Sequence, residues 1–320
     1  MKIGYQGVKG AFSDIAARTY FGNVKAEAGG WKRDHIEPNE GTHDALHNTG
    51  TAYSSDRSIG SAAYADSAAG YEEVCYSEFV DMLRDLDLGT IDYAMFPVEN
   101  TTTGIIARTY DYFQYYNVHA VGEVVVPIRE CLIALPGTSI DEIRSVYSHP
   151  EALSQCNGLF KRCPQMKPVV YEDTALSVAY IRDAGDPHKA ALASDLAAEI
   201  YGMEIIERDV QDNDANMTRF LCLSGRPEYP AGADKVSIRM VTSHSPGSLY
   251  KALGIFASLD INVLKLESRP IIGKLFEYCF YLDFAGNLHD RNVREALRRL
   301  EFDCRELNIF GNYKSSELAL

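Results

Sequence analysis

The stretch from Asp212 to Phe220 reads Asp-Asn-Asp-Ala-Asn-Met-Thr-Arg-Phe and runs directly into Leu221-Cys222-Leu223. Amide and carboxylate side chains favour turns, whereas the short apolar run that follows them is typical of a buried strand. The stretch therefore predicts a polar loop that enters a strand. It places a hydroxyl, a guanidinium and an aromatic ring side by side at the strand edge.

Before this stretch, apolar strand patterns alternate with helical patterns, which is typical of an α/β fold with parallel sheets. The predicted strands are 2–6, 73–76, 93–96, 118–126, 131–135, 145–147, 168–171, 189–193, 204–210 and 218–224. The first predicted helix has Ser13 as its N-cap. The other predicted helices cover 77–88, 104–114, 151–162, 174–183 and 195–201. We expect two lobes that are joined by crossing strands, with a ligand cleft at the carboxyl ends of the strands.

After this stretch, residues 226–234 have the composition of a linker, and a strand, helix, strand, strand, helix, strand order follows over 235–320. This βαββαβ order predicts a ferredoxin-like domain. We therefore divide the chain into a bilobal domain over 1–225, the linker and this C-terminal domain. Residues 25–70 show no sustained period, so we interpret them as a long loop or insertion, partly disordered.

The composition is that of a globular protein with a formal charge of −14, which disfavours nucleic acid as a partner. No apolar stretch is long enough to span a membrane, and the first residues lack a signal-peptide core, so we expect a cytoplasmic protein. The seven cysteines include no Cys-x-x-Cys pair, which predicts neither a disulfide framework nor a metal site.

Five motifs occur in order along the chain and together resemble the prephenate dehydratase family and its arogenate dehydratase relatives. They are Pro97-Val98-Glu99-Asn100-Thr101, Ser148-His149-Pro150 with Gln155-Cys156, Thr218-Arg219-Phe220, Gly247-Ser248-Leu249-Tyr250 and Glu267-Ser268-Arg269-Pro270. The resemblance covers nearly the whole sequence. It implies a two-lobed, periplasmic-binding-protein-like dehydratase domain followed by an ACT regulatory domain.

The resemblance implies that prephenate or arogenate loses its ring carboxylate as carbon dioxide and its C4 hydroxyl as water, without a cofactor or metal. In this family the threonine of the Thr-Arg-Phe motif is catalytic, so we assign Thr218 as the hydrogen-bond donor to the leaving oxygen, with Glu99 as a source of the proton. Arg219 either pairs with a substrate carboxylate or organises the pocket from behind. An Arg beside a strand is also commonly a structural ion pair.

Three further residues complete the predicted catalytic set, and each also has a purely structural interpretation. Asn100 can donate and accept hydrogen bonds to substrate, or it forms an Asx turn. Ser148 and the helix that follows it can cradle an anion while Gln155 reaches toward the cleft, or the segment merely caps that helix. We keep His149 outside the set. The predicted substrate contacts are Glu99, Thr101, Thr174, Phe220 and Ser13.

For the C-terminal domain, the resemblance implies a phenylalanine effector held between neighbouring subunits by two segments. The residues are Gly247, Ser248, Leu249, Glu267, Ser268, Arg269 and Pro270. Tyr250 stands where the family commonly has Val, which leaves the effector and its sign open. A homodimer or homotetramer is expected.

Two alternatives to a prephenate dehydratase remain open from the sequence. One is arogenate dehydratase, which plant-like runs such as 121–124 and 131–137 favour. The other is a non-catalytic amino-acid sensor, because two-lobed clefts and ACT domains also bind ligands without chemistry.

Overall fold

The computed structural model describes residues 1–28, 63–66, 70–230 and 232–316, and strands alternate with helices through most of them. The strands are β1 (Lys2–Gln6), β2 (Ala63–Asp66), β3 (Tyr71–Tyr76), β4 (Tyr93–Asn100), β5 (Gly104–Ile105), β6 (His119–Pro127), β7 (Cys131–Ala134), β8 (Ser145–Ser148), β9 (Lys167–Val170), β10 (Lys189–Ala193), β11 (Glu204–Glu207), β12 (Met217–Ser224), β13 (Lys235–Thr242), β14 (Val263–Pro270), β15 (Tyr278–Ala285) and β16 (Cys304–Tyr313). The helices are α1 (Phe12–Ala28), α2 (Phe79–Asp87), α3 (Ala107–Tyr112), α4 (Pro150–Ser154), α5 (Asn157–Arg162), α6 (Thr174–Ala184), α7 (Asp195–Tyr201), α8 (Ser248–Ser258) and α9 (Arg291–Asp303), with a short 3₁₀ turn at Ile140–Glu142.

Two sheets form two lobes, as the alternating pattern predicts. In the first lobe, β6, β12, β4, β1, β3 and β2 lie side by side, and β1 is parallel to both β3 and β4. The second lobe contains the order β11, β7, β10, β8, β9, in which β8 is parallel to β9 and β10. The predicted two-lobed α/β architecture is therefore confirmed.

The chain crosses between the lobes twice, after β6 and before β12. The two crossing segments, 128–130 and 208–216, hydrogen-bond to one another: the amide of Ile128 donates to the carbonyl of Asn216 at 2.8 Å, and that of Val210 to Glu130 at 2.9 Å. We call these paired segments the hinge. Because β4 ends and β12 begins at the edge of the first sheet, the hinge lies beside the start of β12.

The C-terminal elements follow the predicted βαββαβ order and form an antiparallel sheet in the order β14, β15, β13, β16. This is the strand order of a ferredoxin-like fold. Its last strand continues the first lobe's sheet, because Gly311 of β16 pairs with Ala120 of β6. A Cβ at Gly311 would lie 2.2 Å from the Ala120 carbonyl oxygen, so only glycine allows this approach.

Several local predictions differ from the structure, and the helix expected over 104–114 is instead the short strand β5 followed by α3. The helix α1 begins at Phe12, so Ser13 is its second residue rather than its N-cap, and the carboxylate of Asp14 accepts the Gly10 amide at 2.8 Å. The expected helix over 151–162 is divided into α4 and α5, because Asp212 of the hinge accepts the amides of Asn157 and Gly158 at the start of α5.

The predicted loop over 25–70 is partly regular. Helix α1 continues to Ala28, and β2 pairs in antiparallel fashion with β3. Within 25–70, the structure describes only residues 25–28, 63–66 and 70. The predicted loop residues Trp31, His35, His43 and His47 therefore lie outside the described residues.

Candidate active site

Four side chains form a hydrogen-bonded chain where β4 ends and β12 begins. The amide nitrogen Nδ2 of Asn100 donates to Thr218 Oγ1 at 2.9 Å and to Asn216 Oδ1 at 2.8 Å. Asn216 in turn donates through Nδ2 to Gln155 Oε1 at 2.7 Å. We call these residues the amide network, and it joins the first lobe, the hinge and the second lobe.

Strand pairing explains how the network assembles. Thr218 and Asn100 are direct partners in the antiparallel pair of β12 and β4, so their side chains lie on the same face. Because β4 is parallel to β1, this pair is at the carboxyl edge of the first lobe, where ligands bind in α/β folds. The structure therefore brings together three of the predicted catalytic residues: Thr218, Asn100 and Gln155.

Asn100 forms the Asx turn that its motif predicts and also holds Thr218, whereas its contact with a substrate stays a prediction. Its Oδ1 accepts the amides of Thr102 and Thr103 at 2.8 and 3.0 Å, which is an Asx turn, while its Nδ2 holds the Thr218 hydroxyl. Since Thr218 Oγ1 accepts a hydrogen bond from Asn100, its own proton is left to donate. The arrangement therefore supplies a positioned hydroxyl donor.

Asn216 is a site residue that the sequence prediction omitted. It is 1% exposed and connects Asn100 to Gln155. A signal was present, because Asn216 precedes Thr218 by two residues and side chains two apart in extended chain point to the same face. Thr101 instead fixes the loop: its hydroxyl donates to the Ala215 carbonyl at 2.8 Å and accepts the Met217 amide at 2.9 Å, rather than remaining open to a substrate.

Arg219 does not face the cleft, so its predicted contact with a substrate carboxylate is wrong. Its guanidinium lies on the opposite face of β12, 2.6 Å from a carboxylate oxygen of Glu123 and 2.8 Å from one of Asp283. Neighbouring residues on a strand point to opposite faces, so Thr218 and Arg219 cannot share one pocket. The alternative, that Arg219 organises the site from behind, is consistent with this placement.

Glu99 shares the face of Arg219 and is likewise turned away from Thr218. Its carboxylate lies 3.2 Å from the Lys265 ammonium and 3.7 Å from the Arg219 guanidinium. The prediction that Glu99 supplies the proton or contacts the substrate is therefore wrong, because the side chain lies on the other face of β4 and its Oε2 pairs with Lys265 of β14 and Arg219 of β12.

Ser148 and Phe220 are also placed away from a ligand. The fully buried Ser148 hydroxyl donates to the Leu192 carbonyl at 2.7 Å, so it ties β8 to β10 and does not cradle an anion. Phe220 is 2% exposed and packs in the first lobe's core with Tyr5 and Met95. Both are structural residues of the strands that carry the site.

Side chains of the protein cap the N-termini of helices α4 and α6 in the second lobe. His149 Nδ1 accepts the Glu151 amide at 3.3 Å, which is the capping role that the sequence left open for this segment. Asp173 caps α6 by accepting the Leu176 amide at 2.9 Å, and Thr174 is the first, partly exposed residue of that helix. The contacts of Thr174 and of the buried Ser13 with a substrate stay predictions.

The loop between β1 and α1, residues 7–11, closes one end of the cleft against the second lobe. The Ser194 hydroxyl donates to the Gly10 carbonyl at 2.6 Å, and the Tyr201 hydroxyl donates to the Lys9 carbonyl at 3.2 Å. Gly10 has a φ of +87°, and a Cβ there would lie 2.7 Å from Ala197 Cα. The glycine is therefore needed both for its backbone angle and for the contact between the lobes.

The predicted effector segments occupy different places in the C-terminal domain. Gly247, with a φ of +80°, precedes α8, and the adjacent Ser248 and Leu249 line a cavity of about 370 Å³ together with Tyr278 and Phe280. The segment Glu267, Ser268, Arg269 and Pro270 lies on β14, whose partner strand β15 carries Tyr278 and Phe280.

Arg269 is engaged within the chain. Its guanidinium makes a bidentate pair with the Asp111 carboxylate of α3, at 2.9 and 2.7 Å. Within one chain, therefore, this arginine attaches β14 to the first lobe.

The described residues hold no group of three or more His, Cys, Asp or Glu side chains that could bind a metal ion. In the same part of the chain, no helix has both the length and the apolar character needed to cross a membrane. All seven cysteines are free thiols.

Comparison with known proteins finds a family model and relatives that match this chain. Residues 56–228 match the family model for prephenate dehydratase. Arogenate dehydratase/prephenate dehydratase 2, chloroplastic, of Arabidopsis thaliana is 38% identical over 267 residues, which cover 78% of this chain and 70% of that protein.

Two solved structures have the same fold as the chain. One, described as GqqA, a novel type of quorum quenching acylase, is 26% identical with a TM-score of 0.78, and each chain is covered completely. The other is a prephenate dehydratase from Arthrobacter aurescens in complex with L-Phe, which is 24% identical with a TM-score of 0.76, over 98% of this chain and 90% of that one.

Proposed function

Since this chain belongs to the prephenate dehydratase family, we propose that it converts prephenate to phenylpyruvate in phenylalanine biosynthesis, with release of carbon dioxide and water. The observation that carries the proposal is the amide network, which presents the Thr218 hydroxyl at the carboxyl edge of the first lobe. The reaction needs a bound anion, a proton donor for the departing hydroxyl and little else, because aromatisation drives it.

In the proposed mechanism, the side-chain amide of Gln155 orients the ring, Asn100 holds the Thr218 hydroxyl, and that hydroxyl donates a hydrogen bond to the C4 oxygen. The bond from C4 to oxygen breaks as the electrons of the ring carboxylate bond enter the ring. One proton is consumed per turnover, and phenylpyruvate, carbon dioxide and water leave. A preorganised donor of this kind acts because it matches charge that develops on the leaving oxygen.

Purified protein tests the proposal directly. Phenylpyruvate formed from prephenate is measured by its absorbance in alkali, and phenylalanine formed from arogenate is measured by chromatography. Turnover of prephenate supports the proposal, and a preference for arogenate replaces it by arogenate dehydratase, which the Arabidopsis relative's name includes. Absence of turnover with both substrates contradicts both enzyme functions and leaves the sensor.

The domain division also belongs to this proposal. We assign residues 1–225 to the dehydratase domain, 226–234 to the linker and 235–320 to an ACT domain that binds phenylalanine. Support comes from the ferredoxin-like strand order and from the cavity beside Ser248 and Leu249. The phenylalanine-bound Arthrobacter structure has the same fold. The free thiols are consistent with a reducing compartment such as the cytoplasm.

We propose that the edge of β14 that pairs with no other strand of the described residues joins a second copy of the chain to form a homodimer, or a tetramer of two dimers. β14 is the terminal strand of its sheet, and it exposes Leu264 and Leu266 by 49% and 39%. The following loop exposes Leu275 and Phe276 by more than four fifths. Exposed edge strands with apolar side chains tend to pair with another chain.

We expect Leu266→Lys to weaken this assembly, because a buried ammonium at the contact is costly. Light scattering should give a dimer or tetramer for the unmodified chain, with and without phenylalanine, and a smaller species for the variant. Leu88→Lys is the matched control, since Leu88 is 71% exposed at the C-cap of α2 in the first lobe. An unmodified chain that is monomeric at micromolar concentration contradicts the proposal.

A further inference from the structure

Glu130 is a buried carboxyl group in the hinge, and no motif of the sequence singles it out. It immediately precedes β7, its carbonyl accepts the Val210 amide at 2.9 Å, and only 1% of its surface is exposed. Its own amide donates to Gln211 Oε1 at 2.9 Å. The backbone of the hinge therefore fixes both residues side by side.

Each of these two residues has a buried polar atom without a partner among the described residues. The atoms are Glu130 Oε2 and Gln211 Nε2. An unpaired buried polar atom costs about 1–3 kcal/mol, so two of them on residues that contact each other are candidates for binding a ligand. The carboxyl and amide groups could together bind one oxygen-bearing group.

The position of this pair is at the cleft. Cys131, which follows Glu130, pairs with Ala193 at the end of β10, so Glu130 lies at the carboxyl edge of the second lobe's sheet. Gln211 is next to Asp212, whose amide donates to the Gln155 carbonyl at 2.7 Å. Asp212 therefore connects the pair to Gln155 of the amide network, on the other side of the hinge from Thr218.

Burial raises the pKa of the Glu130 carboxyl to about 8, and the nearby Asp173 carboxylate contributes to the rise. Two buried thiols, those of Cys156 and Cys131, also interact with it, and burial raises the pKa of each thiol above its ordinary value. Asp173 faces His149, and its own pKa is also raised by burial. Glu130 is therefore a neutral acid at pH 7 and holds a proton that it can transfer.

We propose that Glu130 is the acid of the dehydration and that Gln211 positions it, an inference that rests on the proposed function. The Glu130 carboxylic acid gives its proton to the C4 oxygen as the bond from C4 to oxygen breaks. The electrons of the ring carboxylate bond complete the aromatic ring, and water and carbon dioxide leave. The Glu130 carboxylate then regains a proton from solvent. This assignment supplies the proton that Glu99, held by Lys265 and Arg219, cannot provide.

The test compares Glu130→Gln with the unmodified enzyme on whichever substrate the latter converts. We expect kcat to fall by about 10²–10⁴-fold with KM changed less than about threefold, because general acid catalysis contributes on that scale. Glu130→Asp should retain part of the rate and its dependence on pH. Glu199→Gln on the exposed face of α7 is the control and should be unchanged.

The pH profile separates a proton donor from a structural residue. The kcat of the unmodified enzyme should fall as pH rises through about 8, and this decline should be missing from the residual activity of Glu130→Gln. An active enzyme whose Glu130→Gln variant keeps kcat within threefold overturns the inference but leaves the proposed function intact. An unmodified chain that is inactive on both substrates removes both.

Thermal unfolding provides a measurement that does not depend on turnover. The folded protein keeps the Glu130 proton up to about pH 8, whereas the unfolded chain releases it near the ordinary value of 4.5. The group therefore destabilises the fold progressively as pH rises between those values. Relative to the unmodified chain, Glu130→Gln should gain several degrees in midpoint between pH 5 and pH 8. Parallel midpoints over that range contradict a neutral Glu130.

Discussion

Thr218→Ala is expected to lower kcat by about 10²–10³-fold, which is the usual effect of removing one preorganised donor from a developing oxyanion. Thr218 is 7% exposed, and its oxygen accepts the Asn100 amide at 2.9 Å. The hydroxyl is thereby fixed in direction before substrate binds. Alanine removes it and leaves the substrate contacts of Gln155 in place, so KM should change little.

Two companion variants make this result specific. Thr218→Ser keeps the hydroxyl and should retain kcat within about tenfold, since only the methyl group that stiffens the rotamer is lost. Thr90→Ala, at an exposed position after α2, is the control for any general effect of removing a threonine. Steady-state rates on prephenate and arogenate provide the measurement. A Thr218→Ala enzyme with unchanged kcat contradicts the assignment, and a chain with no rate to lose is the sensor.

The arrangement of helices and strands was largely predictable from the sequence because it depends on local patterns. Strand β1, strand β10 and helix α7 have the predicted limits, and the βαββαβ order of the C-terminal domain follows from its apolar periodicity. The break between α4 and α5 was not predictable. It depends on Asp212, which is more than fifty residues away in the chain and reaches the start of α5 only in the folded protein.

The site was predicted in part, and the errors have identifiable physical causes. The order of the motifs correctly selected Thr218, Asn100 and Gln155 as neighbours. The same motifs suggested that Arg219 shares their pocket, but neighbouring residues of a strand point to opposite faces, so Arg219 lies on the other side of β12. Glu130 could not be selected at all. Its burial and its unpaired oxygen arise from the crossing of two segments some eighty residues apart, and no local pattern encodes them.

The placement of Arg219 leads to the largest expected effect on stability. Arg219 is 13% exposed as a side chain and contacts Glu123 of β6, Asp283 of β15 and, at 3.0 Å, the Tyr313 hydroxyl of β16. Lys235 of β13 also pairs with Glu123, so the cluster joins the first lobe to the C-terminal domain. Burial lowers the pKa of Arg219, but Tyr313 and the carboxylates outweigh it and raise that pKa further.

We expect Arg219→Ala to lower the free energy of unfolding by about 3–5 kcal/mol, because it leaves the buried carboxylates of Glu123 and Asp283 with less compensation. Urea unfolding is the measurement. Arg298→Ala is the matched control: Arg298 also pairs with a glutamate, Glu295, but its side chain is 70% exposed, and its removal should cause no measurable change.

A second substitution distinguishes lost attraction from an uncompensated charge. If the cost of Arg219→Ala comes from the buried Asp283 carboxylate, then Asp283→Asn in the same chain should recover part of the lost stability, so the two effects will not be additive. Strict additivity would instead assign the loss to packing of the arginine stem. Because Thr218 is the residue before Arg219, recovery of stability together with kcat would mean that this ion cluster holds the catalytic strand in position from behind.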